Sequence, residues 1–198
     1  EDINQNQILK NRLFQLEYLN TLSGEMLVTL IYHRQLNEEW ISEAKLLKEK
    51  YGIHIIGRAR KLRILLDQDH VIEQLNVDNL NLKYKQIEGG FTQPNGEMNQ
   101  KMLGWARDCA QGSDKWDLLE LYCGNGNFSI ALADKFRQVF ATEISKTSVK
   151  AANDNKVMNN LENVHFAKVS AEEFTAHMSG QRLRTRLKDM NLEEADFG

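Results

Sequence analysis

Proline is almost missing from this chain, cysteine is scarce, and no stretch stays apolar for long. The 198 residues contain one proline, Pro94, and two cysteines, Cys109 and Cys123. So little proline excludes proline-rich linkers and recognition tracts, and no other low-complexity segment is visible. The two cysteines stand in dissimilar contexts and form no C-x-x-C, so neither a disulfide framework nor a zinc site is expected. No metal and a reducing, cytoplasmic setting follow as expectations. A membrane helix needs about eighteen consecutive apolar residues, and no such run or signal peptide exists. Basic charge is also wanting: 25 Lys and Arg against 28 Asp and Glu leave a net charge of −3. No global positive field advertises nucleic acid, so any such contact must come from local patches.

What remains is an ordinary globular composition, long enough for one large or two small domains. The chain begins at Glu1 rather than Met, and we expect it to lack its natural start.

The first half reads as mixed α and β. Leu13 to Leu19 alternates with period two, placing Phe14, Leu16 and Tyr18 on one face, and Phe14 is taken as core. Ser23-Gly24 turns the chain into a second strand, Met26 to His33, so the two form a hairpin. Asn37 is placed to cap a helix whose Trp40, Ala44 and Leu47 fall on one stripe, and Tyr51-Gly52 ends it. Short strands follow at Ile53–Ile56, Leu62–Leu66 and Leu82–Ile87. The intervening DQDHVIEQLNVDNLN reads as a polar connection.

Gly89 to Asn95 holds the proline and two adjacent glycines and is the clearest boundary. It divides an α+β domain, 1–88, from a second domain, 89–198. Met98, Met102, Trp105, Ala106 and Cys109 then recur at helical spacing behind a possible Asn95 cap, which makes Cys109 core. Strand and helix alternate strictly afterwards: strand 117–122, helix 128–135, strand 138–142, helix 145–158, strand 164–169 and a short helix at 171–177. That pattern predicts βαβ units and a parallel sheet, an α/β, Rossmann-like arrangement.

The stretch DLLELYCGNGNFS carries the chemistry. A strand ends, Gly124 and Gly126 let the backbone bend tightly, and a helix N-terminus follows. In open α/β sheets, ligands bind at the strand ends. Glu143 closes the next strand, where a carboxylate accepts hydrogen bonds from ribose hydroxyls, so the ligand contains a nucleoside. A nicotinamide dinucleotide wants a third glycine, and Ser129 stands there instead. S-adenosylmethionine, which has no phosphate, uses an acid on the first strand, and Glu120 occupies that place. S-adenosylmethionine is therefore favoured. The bland alternative is that the glycines merely turn the chain.

LELYCGNGNFS, FTQPN (91–95), ATEISKTSVKAANDN (141–155) and SAEEF (170–174) together resemble the bacterial tRNA (uracil-5-)-methyltransferases, within the RNA 5-methyluridine methyltransferase family. LFQLEYLNTLS, LIYHRQLNEEW, IGRA and LDQD agree as well, so the likeness runs nearly the whole chain to about Gly180. The resemblance implies a class I S-adenosylmethionine-dependent methyltransferase fold behind a smaller α+β domain. It implies methylation at C5 of the T-loop uridine of tRNA, giving ribothymidine, and a tRNA T-arm as partner of an enzyme that is monomeric at full length. It implies that Gln93, Tyr122, Asn127 and Glu143 contact the cofactor, alongside the loop glycines Gly124 and Gly126. On the residues alone, Gln93 could hold the turn at Pro94, Tyr122 could be strand core, and Asn127 could cap the helix. Cys123 reads as a small packed residue.

The family's chemistry needs a cysteine thiolate that adds to uracil C6 and a glutamate that removes the C5 proton. These lie in an S-C-N-P segment, preceded by D-P-P-R-x-G, and near the C-terminus. None of the three appears here, and neither Cys109 nor Cys123 matches the nucleophile. Three parallel strands would leave the 117–122 strand as an apolar edge. The chain is therefore expected to be the inactive, cofactor-binding part of a larger enzyme, cut at both ends, with an incomplete parallel sheet.

Two basic clusters, Arg58/Arg60/Lys61/Arg63 and Arg182/Arg184/Arg186/Lys188, are candidates for phosphate contact, with plain solvated surface as the alternative. Aromatics such as Phe14 are candidates for base stacking. The competing functions are a dinucleotide-dependent oxidoreductase and a non-catalytic RNA-binding remnant.

Overall fold

The structure is a computed structural model and describes residues 1–180, 187, 190 and 192–197. By its contacts the chain divides into two compact units, Glu1–Ile72 and Glu73–Gly198, a division that falls ahead of the Gly89–Asn95 segment.

The first unit is a four-stranded sheet in the order β1-β2-β3-β4, preceded by two short helices, α1 (Asp2–Gln5) and α2 (Gln7–Lys10). β1 (Leu13–Asn20) and β2 (Met26–Tyr32) form the expected antiparallel hairpin, with a register shift between Leu13 and Gln15. Helix α3 (Glu38–Tyr51) connects β2 to its parallel neighbour β3 (His54–Ala59), and β4 (Leu62–Leu65) returns antiparallel. The Asn37 side chain accepts the Trp40 N–H at 3.1 Å, and Gly52 ends the helix at φ 62°. Trp40, Ala44 and Leu47 point into the core with Leu30 and Ile55. The hairpin reading needs one correction. Phe14 is 62% and Tyr18 60% exposed, because the irregularity beside Leu13 breaks the alternation and β1 is the sheet's edge.

A second correction concerns the stretch read as a connection. It contains β5 (His70–Val77), which begins in the first unit, continues into the second and pairs with β6 (Leu80–Ile87). The buried positions are Val71, Glu73, Leu75 and Val77, strictly alternating. The inward Glu73 hid the period, since a carboxylate at a core-facing position reads as surface.

In the second unit α4 (Gly96–Cys109) follows its Asn95 cap, whose side chain accepts the Met98 N–H at 2.9 Å. Its buried stripe is Asn99, Leu103 and Arg107. Met98 and Trp105 are exposed, and so is Cys109, which is not a core residue. Met98, Trp105 and Cys109 therefore mark the solvent side, Met102 and Ala106 are half-buried, and on the buried side Leu103 joins the apolar core beside polar pairs. Arg107 donates to Asp78 at 2.7 Å and to Asp134 at 2.9 Å, and also to the Ala131 carbonyl.

β7 (Leu118–Leu121), α5 (Asn127–Leu132), β8 (Val139–Thr142), α6 (Lys146–Met158), β9 (Val164–Ala167) and α7 (Ala171–Met178) complete the alternation. The three strands run parallel in sequence order, so β7 lies at one edge among the described residues. Ser170 and Glu173 form a reciprocal capping box at α7. No described helix is long and apolar enough to cross a membrane. Among the described residues no group of three or more His, Cys, Asp or Glu is placed to hold a metal ion.

Candidate functional site

The chain leaves β7 through a strained loop. Tyr122 sits at φ 61°, Gly124 at φ 58° and Gly126 at φ 83°, three left-handed residues within five. Glycine adopts this region freely, whereas tyrosine does so at a cost that the surrounding structure must sustain. Tyr122 is 66% exposed, so it is a loop residue rather than strand core, and its hydroxyl donates to Glu172 at 3.3 Å.

Glu143 anchors the loop. Its Oε2 accepts the Gly124 N–H at 3.0 Å and its Oε1 accepts the Ser145 N–H at 2.7 Å. Each carboxylate oxygen accepts about two hydrogen bonds, so a lone pair remains on both for an outside donor.

Beside this loop lies a cavity of about 310 Å³ within the second unit, in the size range of small-molecule sites. Gln93, Tyr122, Gly124 and Asn127 all line it, together with Tyr84, Gln86, Asn99 and Glu120. Gly126 and Glu143 do not line it. Gly126 packs against Phe166, and Glu143 reaches the cavity wall through Gly124. At Gly124 an added Cβ would meet nothing within 4 Å, so the backbone there is open to close approach by a ligand.

Asn127 does not cap α5. The cap position is Gly126, with no side-chain bond. The Asn127 amide instead pairs reciprocally with Asn99, at 3.0 and 2.9 Å, and its carbonyl accepts the Tyr84 hydroxyl at 2.9 Å. A reciprocal pair leaves one N–H and one lone pair on Asn127 for another partner. Asn99→Ala would leave the Asn127 amide without its partner. We expect a stability loss of about 1–2 kcal/mol in denaturant unfolding, with weaker ligand binding because Asn127 is no longer oriented.

Ser129, standing where a third glycine would, is fully buried and donates its hydroxyl to Glu120. Burial pushes the Glu120 carboxyl up to about 7. Cys123 is buried, and burial pushes its thiol well above the usual range, so it is a packed residue and a poor nucleophile.

Sequence reasoning missed Gln86. It is 7% exposed and lines the cavity. The signal was its place in β6, where Leu82, Tyr84 and Gln86 occupy the buried alternate positions.

A larger cavity, about 390 Å³, lies at the opposite ends of the strands, beside Asp117, Gln138 and His165. Its polar groups satisfy one another: Arg137 pairs with Asp117 at 2.6 Å and His165 with Gln138 at 2.8 Å. Ligands of open α/β sheets bind at the carboxyl ends of the strands, so the Gly124 cavity is the better candidate.

The sequence model for tRNA (Uracil-5-)-methyltransferase matches residues 1–198. The chain belongs to the tRNA (uracil-5-)-methyltransferase family. The tRNA/tmRNA (uracil-C(5))-methyltransferase of Photobacterium profundum is 55% identical over 198 residues, covering 98% of this chain and 54% of that protein. The Vibrio parahaemolyticus protein of the same description is 52% identical over 198 residues, with 98% and 53% covered. The chain thus spans about half the length of these tRNA (uracil-5-)-methyltransferases. Among solved structures, the Pyrococcus abyssi tRNA (uracil-54, C5)-methyltransferase in complex with S-adenosyl-L-homocysteine aligns with TM-score 0.55 at 17% identity, over 76% of this chain and 38% of that one. That likeness shows the fold, Rossmann-like as the alternation of strand and helix predicts.

Proposed function

We propose that this chain is the cofactor-binding part of an S-adenosylmethionine-dependent enzyme that methylates C5 of the T-loop uridine of tRNA. The observation that carries the reading is the Glu143 carboxylate clamped on Gly124 N–H, which sets a ribose acceptor beside an open, glycine-walled cavity. Residues 89–198, together with Tyr84 and Gln86 of β6, would hold the cofactor, with Gln93, Tyr122, Gly124, Asn127 and Glu143 in contact and Gly126 shaping the loop. When bound, the cofactor would supply an electrophilic methyl group on sulfur. The residues of this chain bind and orient it and keep water from it.

No catalytic residue is assigned here. A C5 methylation needs a thiolate nucleophile, and Cys123 is too deeply buried and too reluctant to ionise for that role. Cys109 lies on the exposed side of α4 and does not line the cavity, and our reading puts the nucleophile and the base in the other half of the relatives' length.

Residues 1–88 would carry RNA contacts on the T-arm. Phe14 is exposed and its ring lies 4.3 Å from that of His33, a platform of the kind on which splayed bases stack. Arg58 and Arg63 face each other across β3 and β4, two cations on one face of the sheet where an RNA phosphate would be met. The second basic cluster lies outside the described residues, except that it is flanked by the buried Leu187.

A dinucleotide is disfavoured by the cavity itself, because no lysine, arginine or histidine lines it to meet a pyrophosphate. Calorimetric titration should show S-adenosylhomocysteine binding at one site and NADH not binding. NADH binding in its place would overturn the reading.

A further inference from the structure

We propose that Asn155 is a positioning residue for the cofactor loop, its buried carboxamide fastening the Asn125 carbonyl, between Gly124 and Gly126, to the backbone of β6. This rests on the cofactor reading above, and it names what keeps that site in shape from behind.

Two glycines free the loop to bend, and the same freedom leaves it many shapes unless something outside holds it. Glu143 holds one end, through the Gly124 N–H. Asn125 is held from another side. Its carbonyl accepts the Asn155 Nδ2 donor at 2.8 Å, while the Asn155 Oδ1 accepts the Lys85 N–H of β6 at 2.6 Å. The Asn125 side chain closes the circuit by donating to the Lys85 carbonyl at 3.4 Å. Loop, strand and helix α6 thus meet in one ring of amides. Asn155 is 0% exposed, so water does not compete for these bonds and each is strengthened by its surroundings. The place demands a donor and an acceptor on one short side chain, which a carboxamide supplies.

Asn159 shows what the same side chain does without the loop. It stands at the C-cap of α6, one turn past Asn155, and brackets Lys83, accepting its N–H at 2.9 Å and donating to its carbonyl at 2.7 Å. Both asparagines satisfy backbone groups of β6 as a neighbouring strand would. Lys85 also pairs with Asp154 of α6 at 2.8 Å. β6 therefore stays fastened to α6 when Asn155 is replaced, whereas the Asn125 carbonyl loses its amide partner. A loop held in its bound shape spares the ligand the cost of ordering it. Release of Asn125 should accordingly weaken any ligand that lies against Gly124.

The test sets Asn155→Ala beside Asn159→Ala in the 198-residue chain. Both should lower the melting temperature, since each frees backbone groups of β6. Asn155→Ala should in addition weaken S-adenosylhomocysteine binding in calorimetry by about tenfold, the scale of one net hydrogen bond, and Asn159→Ala should bind as the wild type does. Amide exchange followed by NMR without ligand separates positioning from general loosening. In Asn155→Ala the Gly124 and Gly126 N–H groups should exchange faster, while the Val139 N–H, bonded to the Asn163 carbonyl, keeps its wild-type protection. If Asn155→Ala does not fold, the same measurements are made on Asn155→Ser, which keeps a small polar group in the space. Wild-type affinity in the folded Asn155 variant, equal weakening by the Asn155 and Asn159 variants, or exchange that quickens as much at Val139 as in the loop would overturn the proposal. If the wild-type chain binds no S-adenosylhomocysteine, the cofactor reading fails, and exchange at Gly124 and Gly126 still decides whether Asn155 holds the loop.

Discussion

Gly126→Val should destabilise the second unit by about 3 kcal/mol or more and abolish ligand binding, whereas Gly124→Ala should leave the fold nearly intact and lose binding alone. The two glycines of the loop do different work. At Gly126 a Cβ would stand 2.8 Å from Phe166 Cζ and 3.1 Å from Cε1. Phe166 packs against the cluster that holds Ile130 and Ala131 of α5 and against the one that holds Val139 and Val164, so moving the ring disturbs both. Overpacking of this kind costs about 1–3 kcal/mol. A non-glycine residue in the left-handed region adds about 1–2 kcal/mol, and the β-branch of valine pushes toward the upper end. At Gly124 only the conformational term applies, because the space around its Cβ is empty. A methyl group there enters the region a ligand would approach. Chemical denaturation and calorimetry on both variants separate the effects, and equal destabilisation by the two substitutions would contradict this division.

Arg107→Met is the second large effect, about 3 kcal/mol of stability. The arginine is 4% exposed and gathers the turn after β5, the end of α5 and the residue beyond it through Asp78, Ala131 and Asp134. Breaking a buried charge pair by removing one partner costs about 3–5 kcal/mol. Here the acids are nearly half exposed, with side-chain accessibilities of 44% and 47%, so they regain water and the loss sits at the low end. The wild type also carries a pH signature. Arg107 holds the Asp134 carboxyl below its ordinary value of 3.8. The unfolded chain therefore binds this proton more readily, and the stabilisation is present above pH 3.8 and lost as pH falls through the lower, folded value. Arg107→Met should flatten that acid limb. A variant that keeps the same steep loss would show the pair to be energetically idle.

Much of the architecture was legible because pattern and packing agree. Asn37 and Asn95 cap the helices they precede, and the strict alternation from 117 onward became a parallel three-stranded sheet. Where the reading failed, polar residues face inward. Glu73 disguised β5, and Asn99 and Arg107 on the buried side of α4 made Met98, Trp105 and Cys109 look like the core stripe. Hydrophobic periodicity locates apolar burial and is blind to a core built on amide and ion pairs. The site divides in the same way. The cavity brings Gln93, Tyr122, Gly124 and Asn127 together, as loop and family resemblance led us to expect. Asn99 and Gln86 come from elements distant in sequence, and only tertiary pairing and cavity geometry show them. Phe14 went astray for a local reason, a register shift at a sheet edge.

The central claim is that Glu143 makes the Gly124 loop a nucleoside site. Its most direct test is calorimetric titration of S-adenosylhomocysteine into the wild-type chain and into Glu143→Ala, with thermal melts beside them. The account predicts single-site binding in the wild type and its loss in a folded Glu143→Ala. A folded variant that binds as tightly as the wild type would contradict it.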